Sequence, residues 1–109
     1  MTSSKTIGLM VVLVWVFASA ESRGAENSGA QIYSTWCKSC HMDSPFAPGT
    51  IQLKQSRGAD KAVIINRDDL APEYLRQLVR TGFAGMPNFR RTEISDPELE
   101  SLIEFLTTQ

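Results

Sequence analysis

The sequence predicts an all-α domain of about three helices with one long connection between the first and the second. Three observations carry that prediction. Apolar residues recur at helical spacing in three separate stretches, serines stand at the head of the first and third, and a glycine closes the second.

The first segment of the chain lies outside that domain. Lys5 is followed by an uncharged apolar run from Ile7 to Ala18, and Ala18-Ser19-Ala20 supplies a small-x-small exit. A basic start, a short apolar stretch and a small-residue site describe a secretory signal peptide. A retained anchor is the competing reading. A spanning helix needs about 20 apolar residues, and Glu21, Arg23 and Glu26 interrupt too early. The expected division is therefore residues 1–20 as signal peptide and 21–109 as one working domain, exported to the periplasm.

The first helix is expected from about Ser28 to Cys40, with Ser28 as N-cap and Gly29, Ile32, Tyr33 and Trp36 along one face. Between His41 and Ala71 no clear helix pattern stands out, and Val63 to Ile65 suit a short strand or a packed loop. The second helix is expected over Pro72 to Thr81, where Leu75, Leu78 and Val79 share a face and Gly82 ends it. Its N-cap position is Ala71, which has no capping side chain. The third helix follows Ser95-Asp96-Pro97-Glu98, a capping box, with Leu99, Leu102, Ile103 and Leu106 as its apolar stripe. No internal repeat or low-complexity segment is present.

Charge excludes one class of partner. The formal net charge is −1, and loss of Lys5 with the leader makes it one unit more negative. Nucleic-acid binding needs a basic excess that this chain lacks. A domain of this length buries only a modest core, so an embedded cofactor, metal or disulfide would help to hold it.

The two cysteines fall in Cys37-Lys38-Ser39-Cys40-His41, the only histidine of the chain included. C-x-x-C-H is the spacing of covalent haem attachment. On a helical turn, residues three and four apart share a face. Cys37 and Cys40 therefore converge to take the two haem vinyl groups as thioethers, with His41 placed to bind the iron. A disulfide or thioredoxin-like redox pair explains the cysteines without His41, but such pairs sit in a βαβ setting and no strand-rich pattern precedes Cys37. A structural zinc site wants four ligands, and two cysteines and one histidine fall short.

The sixth position on the iron decides between electron transfer and ligand chemistry. No second histidine exists. Met1 and Met10 leave with the leader, and Met42 adjoins His41, so it is badly placed for the opposite haem face. Met86 remains, in Thr81-Gly82-Phe83-Ala84-Gly85-Met86-Pro87-Asn88-Phe89. Gly82, Gly85 and Pro87 shape a loop around it, and Phe83 and Phe89 flank it with apolar bulk. A gap-filling core methionine is the bland alternative. His/Met ligation raises the reduction potential and leaves no open coordination site. A ligating histidine normally donates its other ring N–H to a carbonyl. Pro48, in Ala47-Pro48-Gly49, is the candidate acceptor, with Pro45 as the alternative and a plain turn proline as a third reading.

These residues resemble class I cytochromes c across essentially all of residues 21–109. The resemblance rests on Gly29 and Tyr33, Cys37-Lys38-Ser39-Cys40-His41, Gly85-Met86-Pro87, and a final helix with Leu102, Phe105 and Leu106. It implies a class I cytochrome c fold, about three helices packed around one covalently bound haem c with a long haem-wrapping loop. It also implies that the first and last helices cross at Gly29 and Phe105. A narrower likeness, in Pro48-Gly49-Thr50, Leu78-Val79-Arg80-Thr81-Gly82-Phe83 and Met86-Pro87-Asn88-Phe89-Arg90, is to the small cytochrome partners of periplasmic flavoprotein or quinoprotein dehydrogenases, of the p-cresol methylhydroxylase kind. The glycine-rich turn that often follows the haem histidine is replaced here by Met42-Asp43-Ser44-Pro45-Phe46.

The expected function is a carrier of single electrons, not an enzyme, that takes an electron from a dehydrogenase and passes it to a downstream cytochrome or oxidase. A haem enzyme or gas sensor with a labile or absent sixth ligand is the alternative, and a thiol-exchange protein without haem a third. Lys38, Arg80, Arg90 and Arg91 lie near the haem-bearing segments in sequence and suit either a basic docking rim or ordinary solvated charge, since Asp43 and Glu93 interleave.

Overall fold

The computed structural model describes residues 27–109. The expected signal peptide, its cleavage after Ala20 and the 20/21 domain boundary lie outside the described residues. No helix among the described residues is long and apolar enough to cross a membrane.

The described residues form four helical runs and no strand. The first comprises α1 (Gly29–Ile32), a π-turn (Tyr33–Cys37) and α2 (Lys38–His41), which follow one another without a break. It starts as expected. The Ser28 hydroxyl accepts from the Gln31 amide while the Gln31 side chain accepts from the Ser28 amide, so two orphan donors are satisfied reciprocally. The π-turn shows in the Lys38 amide, which donates to the Tyr33 carbonyl five residues back.

The stretch expected to be irregular contains a helix, α3 (Pro48–Arg57), followed by 3₁₀ turns at Ala59–Lys61 and Ile64–Asn66. Four helices replace about three, and the apolar run Val63 to Ile65 enters a 3₁₀ turn, not a strand. The reason is visible in α3 itself. Of its residues only Thr50 is buried, and Ile51 and Leu53 stand two apart, off the helical period, so no stripe marks the helix. Pro48 at its first position and Gly58 at its end, with φ 99°, are the signals that do bound it.

The remaining helices match the expectation. Helix α4 spans Pro72–Thr81, capped by no side chain at Ala71, and stops at Gly82 with φ 69°. Helix α5 spans Asp96–Thr107 behind the reciprocal Ser95–Glu98 capping box.

The core gathers Ile32, Tyr33 and Cys37 from the first run, Leu75 and Val79 from α4, and Ile94, Leu99, Leu102, Ile103 and Leu106 in and before α5. The first run and α5 approach so closely at Gly29 that a Cβ there would overlap the Ser101 carbonyl and lie 2.5 Å from Phe105 Cβ. One turn on, Tyr33 packs against Phe105 with ring centroids 5.8 Å apart. Helices α4 and α5 are further joined by a two-bond ion pair from Arg76 to Glu100, at 2.7 and 2.6 Å.

Gly29→Ala is expected to cost about 1–3 kcal/mol, the usual range for forcing a methyl into packed backbone. Denaturant unfolding followed by far-UV circular dichroism measures it. A loss under about 0.5 kcal/mol would mean that the crossing relaxes freely.

Candidate functional site

The first run delivers Cys37, Cys40 and His41 at its C-terminal end. Cys37 is buried in the core, Cys40 is exposed, and both are free thiols. Burial, and next the neighbouring Cys40, push the Cys37 thiol up to about 11.

Burial lowers the pKa of His41, which keeps the imidazole neutral and its ring nitrogens available as donor and ligand. Its Nδ1 is buried and has no hydrogen-bond partner. Two side chains hold the backbone around it. The Tyr33 hydroxyl donates to the His41 carbonyl at 3.3 Å, and the Thr50 hydroxyl donates to the Met42 carbonyl at 2.7 Å. Thr50 is the one buried polar residue of the described chain. Gly49 packs directly on the ring: a Cβ there would lie 2.7 Å from the Cys40 carbonyl oxygen, 2.8 Å from His41 Cε1 and 2.9 Å from Nδ1.

The expected bond from His41 to the Pro48 carbonyl is not made. Pro48 is the first residue of α3, and a first-turn carbonyl points along its own helix toward the next turn. The three residues that do contact the histidine segment, Tyr33, Gly49 and Thr50, had no role assigned from the sequence. Gly49-Thr50 directly after Pro48 is the signal that was available.

Met86 lies on the connection between α4 and α5. Phe83 and Met86 exchange both backbone hydrogen bonds, at 3.1 and 2.9 Å, across a tight turn in which Ala84 takes a φ of 50°. Gly82, also at positive φ, lets the loop fold back, since a Cβ there would sit 2.7 Å from the Met86 carbonyl oxygen. Past the turn, the Phe89 amide donates to the Val79 carbonyl at 2.8 Å. Met86 and Phe89 are half-buried against the same core that contains Cys37. Trp36 and Phe89 meet edge to face, centroids 5.8 Å apart, and so join the cysteine-bearing run to the methionine-bearing loop.

The donor set suits a haem: two free thiols, a neutral imidazole with an orphaned ring nitrogen, and a thioether on a facing loop. The surrounding surface agrees. Trp36, Met42, Phe46, Ile51 and Phe83, all in or beside these segments in the sequence, are large apolar side chains left exposed, Phe46 at 88% and Phe83 at 72%, as is Tyr74 on α4. The arginines expected at a basic rim are already engaged. Arg80 and Arg91 pair with Asp96, and Arg90 with Glu93, so solvated and internally matched charge describes them better than a free basic patch.

Comparison with known proteins bears on this arrangement. Residues 24–106 match the family model described as cytochrome c oxidase, cbb3-type, subunit III. Two solved structures of p-cresol methylhydroxylase, one of them with substrate bound, each contain a similar chain. Both chains align at 26% identity with a TM-score of 0.55, cover 76% of this chain, and are themselves covered to 93% and 94%. No curated protein matches.

Two glycines make a matched test of the histidine contact. Gly49→Ala is expected to destabilise by about 1–3 kcal/mol, because its methyl enters the His41 ring and the Cys40 carbonyl. Gly85→Ala, where nothing lies within 4 Å of the added Cβ, should stay within about 0.5 kcal/mol. Equal losses in chemical denaturation would show that Gly49 does not brace the ring.

Proposed function

The chain is a class I c-type cytochrome, a member of the family described as cytochrome c oxidase, cbb3-type, subunit III, and on that premise we propose that it carries single electrons through one haem held by Cys37, Cys40, His41 and Met86. The observation that carries this reading is the delivery of two free thiols and the half-buried imidazole of His41 at the end of one helical run, with Met86 packed against the core that Cys37 enters.

When bound, the haem supplies a one-electron couple at its iron. The chain's own residues do the rest. Cys37 and Cys40 would anchor the group as thioethers, so that it could not diffuse away from an exported protein. His41 would bind the iron through a ring nitrogen. Tyr33 and Thr50 fix the peptide groups on either side of that histidine, and Gly49 limits the tilt of its ring. Met86 would supply a soft sulfur ligand, and a second protein ligand would leave no open coordination site for dioxygen. Trp36, Phe83 and Phe89 would cover part of the bound group, and shielding from water favours its less charged, reduced state. The sequence's one histidine is His41, so none is left over for acid–base chemistry on a substrate.

We place the protein in the periplasm, after removal of residues 1–20 as a signal peptide. Its electron donor is a flavoprotein or quinoprotein dehydrogenase, and its acceptor is another cytochrome or an oxidase. The likeness to a chain of p-cresol methylhydroxylase supports the dehydrogenase side of that assignment.

Visible spectra of the protein produced with haem-attachment machinery test the reading, compared with Met86→Ala. The parent is expected to show a low-spin c-type spectrum with the weak sulfur-to-iron band, and only the mutant should lose that band. An unchanged spectrum in Met86→Ala would remove the sulfur from the iron and favour a ligand-binding haem protein, while a colourless parent would overturn haem binding itself.

A further inference from the structure

Arg80 lies in the last turn of α4, two residues before the glycine that opens the methionine loop. Its side chain is only 19% exposed, and its guanidinium makes three bonds to three different segments. Nη1 donates to the Phe89 carbonyl at 3.1 Å and to the Ile94 carbonyl at 2.9 Å, and Nη2 donates to Asp96 Oδ1 at 2.8 Å. The neighbouring residue completes the grip, because the Val79 carbonyl accepts from the Phe89 amide at 2.8 Å. Both polar groups of Phe89, three residues beyond Met86, are therefore held by consecutive residues of α4. At the other end of the loop, Gly82 presses against the Met86 carbonyl. Met86 sits between two fixed points, and only the far one depends on a side chain.

We infer that Arg80 is a positioning residue for Met86, its guanidinium setting the height of the loop through the Phe89 and Ile94 carbonyls and so holding the sulfur where it can bind the iron. This rests on Met86 being the sixth ligand. The chemistry calls for arginine. A planar fork reaches two carbonyls and a carboxylate at once, whereas a lysine ammonium is a point charge on a flexible stem and cannot span all three. Asp96 has a lesser part. It orients the guanidinium and also accepts from Arg91 Nε at 2.9 Å, five residues beyond Met86, but it makes no hydrogen bond to the Phe83–Met86 turn or to Phe89.

The competing possibility is that Arg80 merely ties α4 to α5, in which case stability falls but the iron is unaffected. Holoprotein variants Arg80→Ala, Arg80→Lys and Asp96→Asn separate the two, with Met86→Ala as reference, read by the sulfur-to-iron band and by the affinity of the ferric protein for added imidazole. Loosening the loop should raise imidazole affinity at least about fivefold at Arg80→Ala and weaken the band. Arg80→Lys should behave likewise, and serves alone if the alanine variant does not fold. Asp96→Asn should keep the band even where its melting temperature falls. A smaller rise in affinity at position 80, with the band intact there and lost in Met86→Ala, overturns the inference and leaves the ligation standing. A band unchanged in Met86→Ala overturns the ligation, and the inference with it.

Discussion

At Gly29 the backbone of the first helical run lies against the backbone of α5 with no room for a side chain between them, and the positions of the later site residues follow from that contact. Tyr33, one turn on, is brought onto Phe105, and its hydroxyl then reaches the His41 carbonyl. In an unbroken α-helix, four residues advance about 40° beyond a full turn. The wider π-turn from Tyr33 to Cys37 takes up that excess, so Cys37 stays on the core side with Ile32 and Tyr33 while Cys40 faces outward. Such turns are frequent at functional sites, and this one lies directly ahead of the thiols and the imidazole. A helix crossing thus determines where a chemical motif at the other end of the same run is presented.

The second wall is built differently. The methionine loop has no regular structure, and its shape comes from a few local constraints: Gly82 at its start, a tight turn at Phe83 to Met86, and the grip of Val79 and Arg80 on Phe89. The two walls meet through Trp36 and Phe89. Trp36 is nevertheless 39% exposed, and it shares this exposure with Ile51 and, more strongly, Phe83 and Phe46. A chain this small buries little apolar surface of its own. A flat apolar group bound among these side chains would complete the core and carry the redox centre at once, which would account for their exposure without a separate role.

What was legible in the sequence was whatever local rules decide. The serine cap at Ser28, the capping box at Ser95, the proline start and glycine stop of α4, and the C-x-x-C-H spacing all depend on neighbours within one turn or so; the caps and stops match the structure, and the spacing pointed to the family that the chain belongs to. The helix α3 was illegible because its energy does not come from an apolar stripe. Its residues are almost all solvated, so periodicity had nothing to report. Val63 to Ile65 failed for a related reason, since three adjacent apolar residues suit a strand, a loop or a tight helical turn equally. The contacts of Gly49 and Thr50 with the histidine segment arise from α3 folding back on α2, and the Pro48 carbonyl was misassigned because its place in a helix was unknown. Arg80, Arg90 and Arg91 were visible as charges, but their pairing with Asp96 and Glu93 requires the loop to return to α5.

That pairing gives the charges a structural purpose. Asp96 occupies the first turn of α5, where the helix dipole already favours a carboxylate, and the Arg91 and Arg80 guanidiniums lower its pKa further. Glu93 is held down in the same way, mainly by its bond from the Arg90 amide and then by the Arg90 side chain. Exposed pairs of this kind add little to global stability. Their effect is to fix geometry, because each draws the segment after Met86 toward helices that are themselves anchored in the core. A carrier that neither makes nor breaks bonds in its substrate gains most from a site that stays still when its charge changes. In this chain, stillness on the histidine side comes from backbone contact, with no side chain between Gly49 and the ring. On the methionine side it comes from a guanidinium.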